Sequence, residues 1–273
     1  MQNDLECRPP LPFTTVPEDT IVVRSLLCRM YVACEVMALG TEARFTSMVL
    51  FHRYIAVASR ADDLGMAAVA CLFLGCKAEE EPRRLRDMVN VYTMLDFSLE
   101  QQPDPKIHGA STIPIYEADE PVELQQQRND NNGDKKDGLS YWECKEKMIE
   151  TEQAVLRLLE FDVLVSHPHR AVVLLVDRLS ISLSNYNVDE TKKKLMTESW
   201  KRLNDSLFSY QALQHSTLAM AHAALRLAAR THHIQLPPRF EEGFGLTDEQ
   251  ISSAMTSLEN ASNSLKEYSL IQS

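Results

Sequence analysis

The amino-acid sequence predicts an all-α fold with an internal duplication, and three observations predict it. Helix breakers are spread unevenly: no proline and only Gly40, Gly65 and Gly75 fall between Glu18 and Glu81, and Pro168 is the sole breaker between Leu139 and Leu236. Long tracts without breakers and rich in Leu, Ala, Met, Glu and Lys favour helix. No segment sustains the apolar–polar alternation of a half-buried strand, and no hairpin signal is present. The chain also matches itself at an offset of 153 residues, which lays Ala70-Cys71-Leu72-Phe73-Leu74-Gly75-Cys76-Lys77 over Ala223-Ala224-Leu225-Arg226-Leu227-Ala228-Ala229-Arg230. At that offset Leu50 falls on Leu203 and Tyr54 on Leu207, in the preceding helix of each half. Two copies of a helical domain of roughly 100 residues follow from this, each with one long buried helix and two short ones after it.

The elements follow in order. A first helix runs from Asp19 to about Leu39 and stops near Gly40. A second starts at Thr41, with Glu42 in its first turn, and carries Phe45, Met48, Val49, His52 and Ile55. The third, Leu64 to Glu79, is apolar nearly all round, which suits the axis of a bundle. Pro82 fits the first turn of a fourth helix that reaches about Leu95, and a fifth spans Ser140 to Glu160. After Pro168 the pattern resumes over His169–Leu183, Asp189–Tyr210, Ser216–His232 and Asp248–Tyr268.

Between the fourth and fifth helices, Asp96 to Gly138 holds four prolines, three glycines, a Gln/Asn-rich patch and ten acidic residues against four basic ones. Such a composition buries too little apolar area to offset its ordering cost, so residues 96–139 are expected to be a mobile insertion in the first bundle. The expected organisation is a flexible tail at 1–17, a first bundle at 18–163, a second at 164–269 and a tail at 270–273.

The 273 residues carry a formal net charge of −11, which argues against a protein that grips a phosphate backbone by counterion release. Six cysteines, at 7, 28, 34, 71, 76 and 144, form no C-x-x-C pair, and most sit in apolar helical runs. They are expected to be free thiols in a reducing, intracellular compartment. Met1 to Pro17 has no apolar core of a secretory signal, and the longest uncharged run, Leu64 to Cys76, is too short to span a bilayer.

Two charges stand in line with apolar stripes. Met66, Ala70, Phe73 and Lys77 share one helix face, and Met148, Glu152, Val155 and Leu159 share another. A charge so placed needs a partner or a pocket rim. Lys77 and Glu152 either pair and tie two helices together, or flank a site for another protein's backbone.

Several residue strings resemble the cyclin box of transcriptional cyclins. They are Leu50-Phe51-His52-Arg53-Tyr54, Ala67 to Leu74, and Lys77-Ala78-Glu79-Glu80-Glu81-Pro82-Arg83-Arg84-Leu85-Arg86-Asp87-Met88-Val89-Asn90-Val91. Glu152 to Asp162 with Val165-Ser166-His167-Pro168-His169-Arg170 resembles the junction between two boxes, and Trp200, Asn204-Asp205-Ser206-Leu207 and Ala228-Ala229-Arg230 resemble the second box. L-type cyclins are the most similar subfamily, followed by T- and K-type cyclins. The resemblance implies two five-helix cyclin boxes and a regulatory subunit, not an enzyme, that binds and activates a cyclin-dependent protein kinase as a 1:1 heterodimer. It implies action in transcription and pre-mRNA processing, in the nucleus and also the cytoplasm. It assigns Lys77 and Glu152 to holding the backbone beside the kinase's regulatory helix, with Arg24 in support and Glu80 alongside. Phe73, Leu74, Leu85, Met88 and Val89 are the candidates to line an apolar groove there; ordinary core packing is the alternative for each.

A transcription-initiation scaffold with tandem cyclin-like folds on DNA is a second reading, but it would bring a basic second half and a zinc ribbon, and neither is present. His167-Pro168-His169 reads as a turn that starts a helix, His232-His233 as a helix end, Lys192-Lys193-Lys194 as a solvated or weak nuclear-localisation run, and Arg83, Arg84 and Arg86 as a solvated face. No phosphate-binding loop and no catalytic constellation is evident. No cofactor, metal, small-molecule substrate, membrane contact or direct nucleic-acid contact is expected.

Overall fold

The computed structural model describes residues 21–58, 63–95, 97, 141–180, 188–237 and 244–271. Among them every regular element is a helix. The N-terminal tail and nearly all of the expected insertion lie outside the described residues, as do 272–273, whereas 270 and 271, expected in the C-terminal tail, close the last helix. The chain divides into two compact units, Asp19–Leu164 and Val165–Ser273.

The first unit contains α1 (Ile21–Val36), α2 (Thr41–Val57), α3 (Leu64–Ala78), α4 (Leu85–Met94) and α5 (Tyr141–Leu158). Helix α3 is its axis. Every residue from Gly65 to Cys76 is buried, and α1, α2, α4 and α5 all pack on it. Its start is set by Asp63, whose carboxylate accepts from the Met66 N–H at 3.0 Å and also receives Lys147 Nζ at 2.6 Å. Gly75 brings α2 and α3 together, because a Cβ there would lie 2.8 Å from the Ser47 nitrogen. Phe97, expected at the start of the insertion, is fully buried instead, and its carbonyl occupies the space where Gly65 lacks a side chain. The core of the first unit therefore reaches past Asp96.

Two boundaries differ from the sequence expectation, for one reason. Helix α1 stops at Val36, not near Leu39, and α4 starts at Leu85, not at Pro82. At the end of α1, Ala38 adopts a left-handed φ of 50° and Leu39 N–H returns to the Cys34 carbonyl. Arg83 then donates to the Met37 and Ala38 carbonyls at 3.2 and 3.4 Å. With Arg83 held there, Pro82 and Arg83 stay out of the helix and Pro82 lies ahead of α4. The helix begins where the Asp87 carboxylate accepts from the Arg84 N–H at 3.2 Å.

The second unit contains α6 (Pro168–Ser180), α7 (Val188–Ser206), α8 (Tyr210–Leu213), α9 (Thr217–Thr231) and α10 (Asp248–Ile271). Helix α6 opens at Pro168 as expected, and His169 is buried with its ring 4.8 Å from that of Trp200. The expected helix from Asp189 to Tyr210 is interrupted. Leu207, Phe208 and Ser209 make tight bonds three residues back, and the Ser209 hydroxyl caps α8 by accepting from Ala212. Helix α9 is the axis, packed on α6, α7 and α10. Its alanines at 219, 221, 223, 224, 228 and 229 join Val172, Leu175, Leu195, Leu203 and Leu258 in one apolar core. After α9 a single 24-residue helix follows among the described residues, not two short ones.

The duplication holds in backbone detail. Leu50, Tyr54, Leu203 and Leu207 are all buried. At the end of α3, Glu79, Glu80 and Glu81 bond back to Gly75, Lys77 and Cys76, with Glu80 at φ 57°. At the end of α9, His232, His233 and Ile234 bond back to Ala228, Arg230 and Ala229, with His233 at φ 53°. Each residue corresponds at the same offset of 153.

The described cysteines, 28, 34, 71, 76 and 144, are free thiols. Burial pushes Cys34 up to about 12, Cys76 and Cys144 up to about 11, and Cys71 up as well. In the turn before α9, His215 Nε2 lies 2.9 Å from the Ser257 hydroxyl on α10, and burial lowers its pKa. The unfolded chain therefore binds this proton more readily. Its contribution to stability is present above the ordinary histidine value of about 6.5 and is lost as pH falls through the lower folded value. We expect His215→Gln to flatten the fall in thermal midpoint below neutral pH; an unchanged pH profile would contradict this.

Candidate functional site

Lys77 occupies the last turn of α3, where a cation complements the helix dipole. Its Nζ lies 2.5 Å from Glu152 Oε1 on α5 and 3.9 Å from the centroid of the Phe73 ring. The Lys77 side chain is 46% exposed and that of Glu152 13% exposed, so the ammonium stands at the surface over a carboxylate seated deeper. One salt bridge and one ring contact leave the ammonium a further donor and the carboxylate its second oxygen. An incoming main chain offers the matching acceptor and donor.

The other expected residues separate into surface and interior. Glu80 is exposed on the left-handed turn just after Lys77. Leu85 is half-buried at the start of α4. Phe73 and Leu74 are almost wholly covered, and Met88 and Val89 are fully buried. Met88 and Val89 thus belong to the core of the first unit and do not line a groove, because the α4 face that carries them is the one packed against α3 and α5. Arg24 lies half-buried on α1, one turn from Cys28, whose thiol its charge lowers against the larger effect of burial.

The glutamates after Lys77 differ in direction. The Glu79 carboxylate accepts from the Thr46 hydroxyl at 2.6 Å, and Glu81 accepts from the Gly40 N–H at 3.0 Å, so both tie α3 to α2. Only Glu80 faces outward. Arg83 bonds the Met37 and Ala38 carbonyls just past α1 and is no part of a solvated basic face.

Sequence reasoning missed the outer face of α5. Glu152 borders two stripes: Met148, Val155 and Leu159 are buried, whereas Trp142 and Ile149 remain 43% and 38% exposed. Lys145 lies over the Trp142 ring at 5.0 Å, on the same stripe at helical spacing. An aromatic in an amphipathic helix is ordinarily assigned to the core, so only the observed exposure reveals it. In the second unit, Arg230 stands where Lys77 does and pairs with Glu259 of α10. Among the described residues no group of His, Cys, Asp and Glu could hold a metal ion, and no helix is long and apolar enough to cross a membrane.

In both units a buried axial helix ends in a surface cation beside a carboxylate of a neighbouring helix, Lys77 with Glu152 and Arg230 with Glu259. Residues 13–164 match the family described as Cyclin, N-terminal domain, and the chain belongs to the cyclin family. It is similar to Cyclin-L1 of Gallus gallus, 28% identical over 254 residues, which cover 92% of this chain and 41% of that protein. It is also similar to Cyclin-L1 of Homo sapiens (30% over 240 residues, 86% and 39%) and Cyclin-L2 of Homo sapiens (30% over 233 residues, 84% and 38%). The likeness is thus to L-type cyclins, and the chain spans about two fifths of the length of these relatives. In fold it resembles a chain of the yeast RNA Pol II CTD kinase CTDK-1 complex, with a TM-score of 0.59, 16% identity and coverage of 93% of this chain and 72% of that one. A viral cyclin from herpesvirus saimiri gives a TM-score of 0.52 at 12% identity, covering 89% and 86%.

Proposed function

We propose that this chain is a regulatory subunit that binds a cyclin-dependent protein kinase 1:1 and activates it, without catalytic activity of its own, in transcription and pre-mRNA processing within the nucleus. The observation that carries the proposal is the surface-facing Lys77–Glu152 pair with hydrogen-bonding capacity to spare. Membership of the cyclin family and the likeness to a chain of a Pol II CTD kinase complex support it.

The physical mechanism is a population shift. A protein kinase transfers phosphate only when its catalytic lysine is paired with the glutamate of its regulatory helix. A partner that binds only the helix-in conformation draws the population toward it. Turning a kinase from about 1% to about 99% active needs roughly 5.5 kcal/mol of differential affinity. Lys77 and Glu152 orient the kinase main chain, and Trp142 and Ile149 offer apolar area along the same helix.

The test is affinity purification of the full chain with identification of the co-eluting kinase, followed by reconstitution from purified parts. One kinase should co-elute in equimolar amount, transfer phosphate slowly alone and faster with the chain. Failure of any kinase to co-elute, or an unchanged rate, would overturn the proposal.

A further inference from the structure

We propose that Glu81 is a positioning residue for Lys77, acting through the corner between α1 and α2. This rests on the kinase-binding reading above.

The two units repeat the turn that follows the axial helix, but they anchor it differently. In the second unit the residue after the left-handed one is Ile234, which packs against the apolar core. In the first unit the same position is Glu81. Its carboxylate accepts from the Gly40 N–H at 3.0 Å, at the start of α2, where unpaired donors and the helix dipole favour an anion. Two residues later, Arg83 donates to the Met37 and Ala38 carbonyls at the end of α1, where a cation is favoured. One short segment thus meets two helix ends with opposite charges, and Arg83 and Glu81 lie 3.9 Å apart.

The fit is specific. A Cβ on Gly40 would lie 2.3 Å from Glu81 Oε1, so a side chain at position 40 would push the carboxylate aside. The lock reaches Lys77 directly, because Glu80 N–H bonds the Lys77 carbonyl and Glu81 N–H bonds that of Cys76. With Glu81 pinned, the last turn of α3 is held closed and Lys77 is aimed at Glu152. Released, the turn frays from its end, and Lys77 is the first functional residue affected.

The experiment uses the full chain with Glu81→Ala, Gly40→Ala and Glu81→Gln, the last keeping the acceptor. Two readouts are taken: affinity for the kinase that co-purifies with the wild-type chain, and the Lys77 Nζ resonance in 15N-labelled chain alone. Loss of one charge-assisted hydrogen bond should weaken kinase binding by about tenfold in Glu81→Ala and Gly40→Ala and shift the Nζ resonance, with Glu81→Gln, which keeps the acceptor but not the charge, falling between these and wild type. Gly40→Ala displaces the carboxylate without deleting it, so it serves if Glu81→Ala does not fold. An unshifted Nζ resonance with unchanged affinity in either folded variant would overturn the proposal and reduce the lock to ordinary packing. If no kinase binds the wild-type chain, the functional reading fails, and the Nζ resonance alone decides whether the lock positions Lys77.

Discussion

Gly75→Ala is expected to destabilise the first unit by about 3 kcal/mol, equivalent to a drop in thermal midpoint on the order of 10 °C. The added methyl would meet Ser47 Oγ at 2.1 Å, its nitrogen at 2.8 Å and its Cα at 2.9 Å. The first clash can be relieved by rotating or removing a hydroxyl, but the other two are with backbone. Ser47 also sits fully buried in α2, where its hydroxyl donates to the Ala43 carbonyl at 2.6 Å. Ser47→Ala should therefore rescue Gly75→Ala only in part. Full rescue would show that α2 and α3 are not held as close as the structure has them. The matching position in the second unit is Ala228, so the close approach belongs to one copy and not to the repeat.

Lys77→Ala is expected to separate binding from folding. The pair with Glu152 involves an ammonium nearly half exposed to water, so its loss should cost less than about 1 kcal/mol of stability. In a complex the same groups would be covered, and truncating one of them leaves the other buried and unpaired, which should weaken kinase binding by about a hundredfold. Thermal denaturation and a binding titration on the same preparation decide the matter. A large loss of stability with unchanged affinity would mean that the pair merely ties α3 to α5.

The duplicated helical fold was legible because it rests on local signals. Breaker-free tracts marked the helices, and the 153-residue offset aligned α2 with α7 and α3 with α9, down to left-handed residues at 80 and 233. What escaped were features settled by contacts distant in sequence. Pro82 looks like a helix start until Arg83 is seen bound to the end of α1. Phe97 looks like part of an insertion until its carbonyl is seen against Gly65. For the site, apolar stripes picked out Lys77 and Glu152, since a charge in line with a buried stripe is conspicuous. The same stripes could not say which way α4 turns, so groove lining and core packing both stood open for Met88 and Val89, and only the fold shows them buried. Glu79, Glu80 and Glu81 are chemically alike, and only the fold sends two of them inward and one out.

The most direct measurement is kinase binding and activation by the double variant Lys77→Glu with Glu152→Lys. The swap keeps the attraction between α3 and α5, so the thermal midpoint should stay close to wild type. It inverts the donor and acceptor presented to a partner, so binding and activation should be lost. A folded double variant that bound and activated the kinase as well as the wild type would contradict the assignment of this surface.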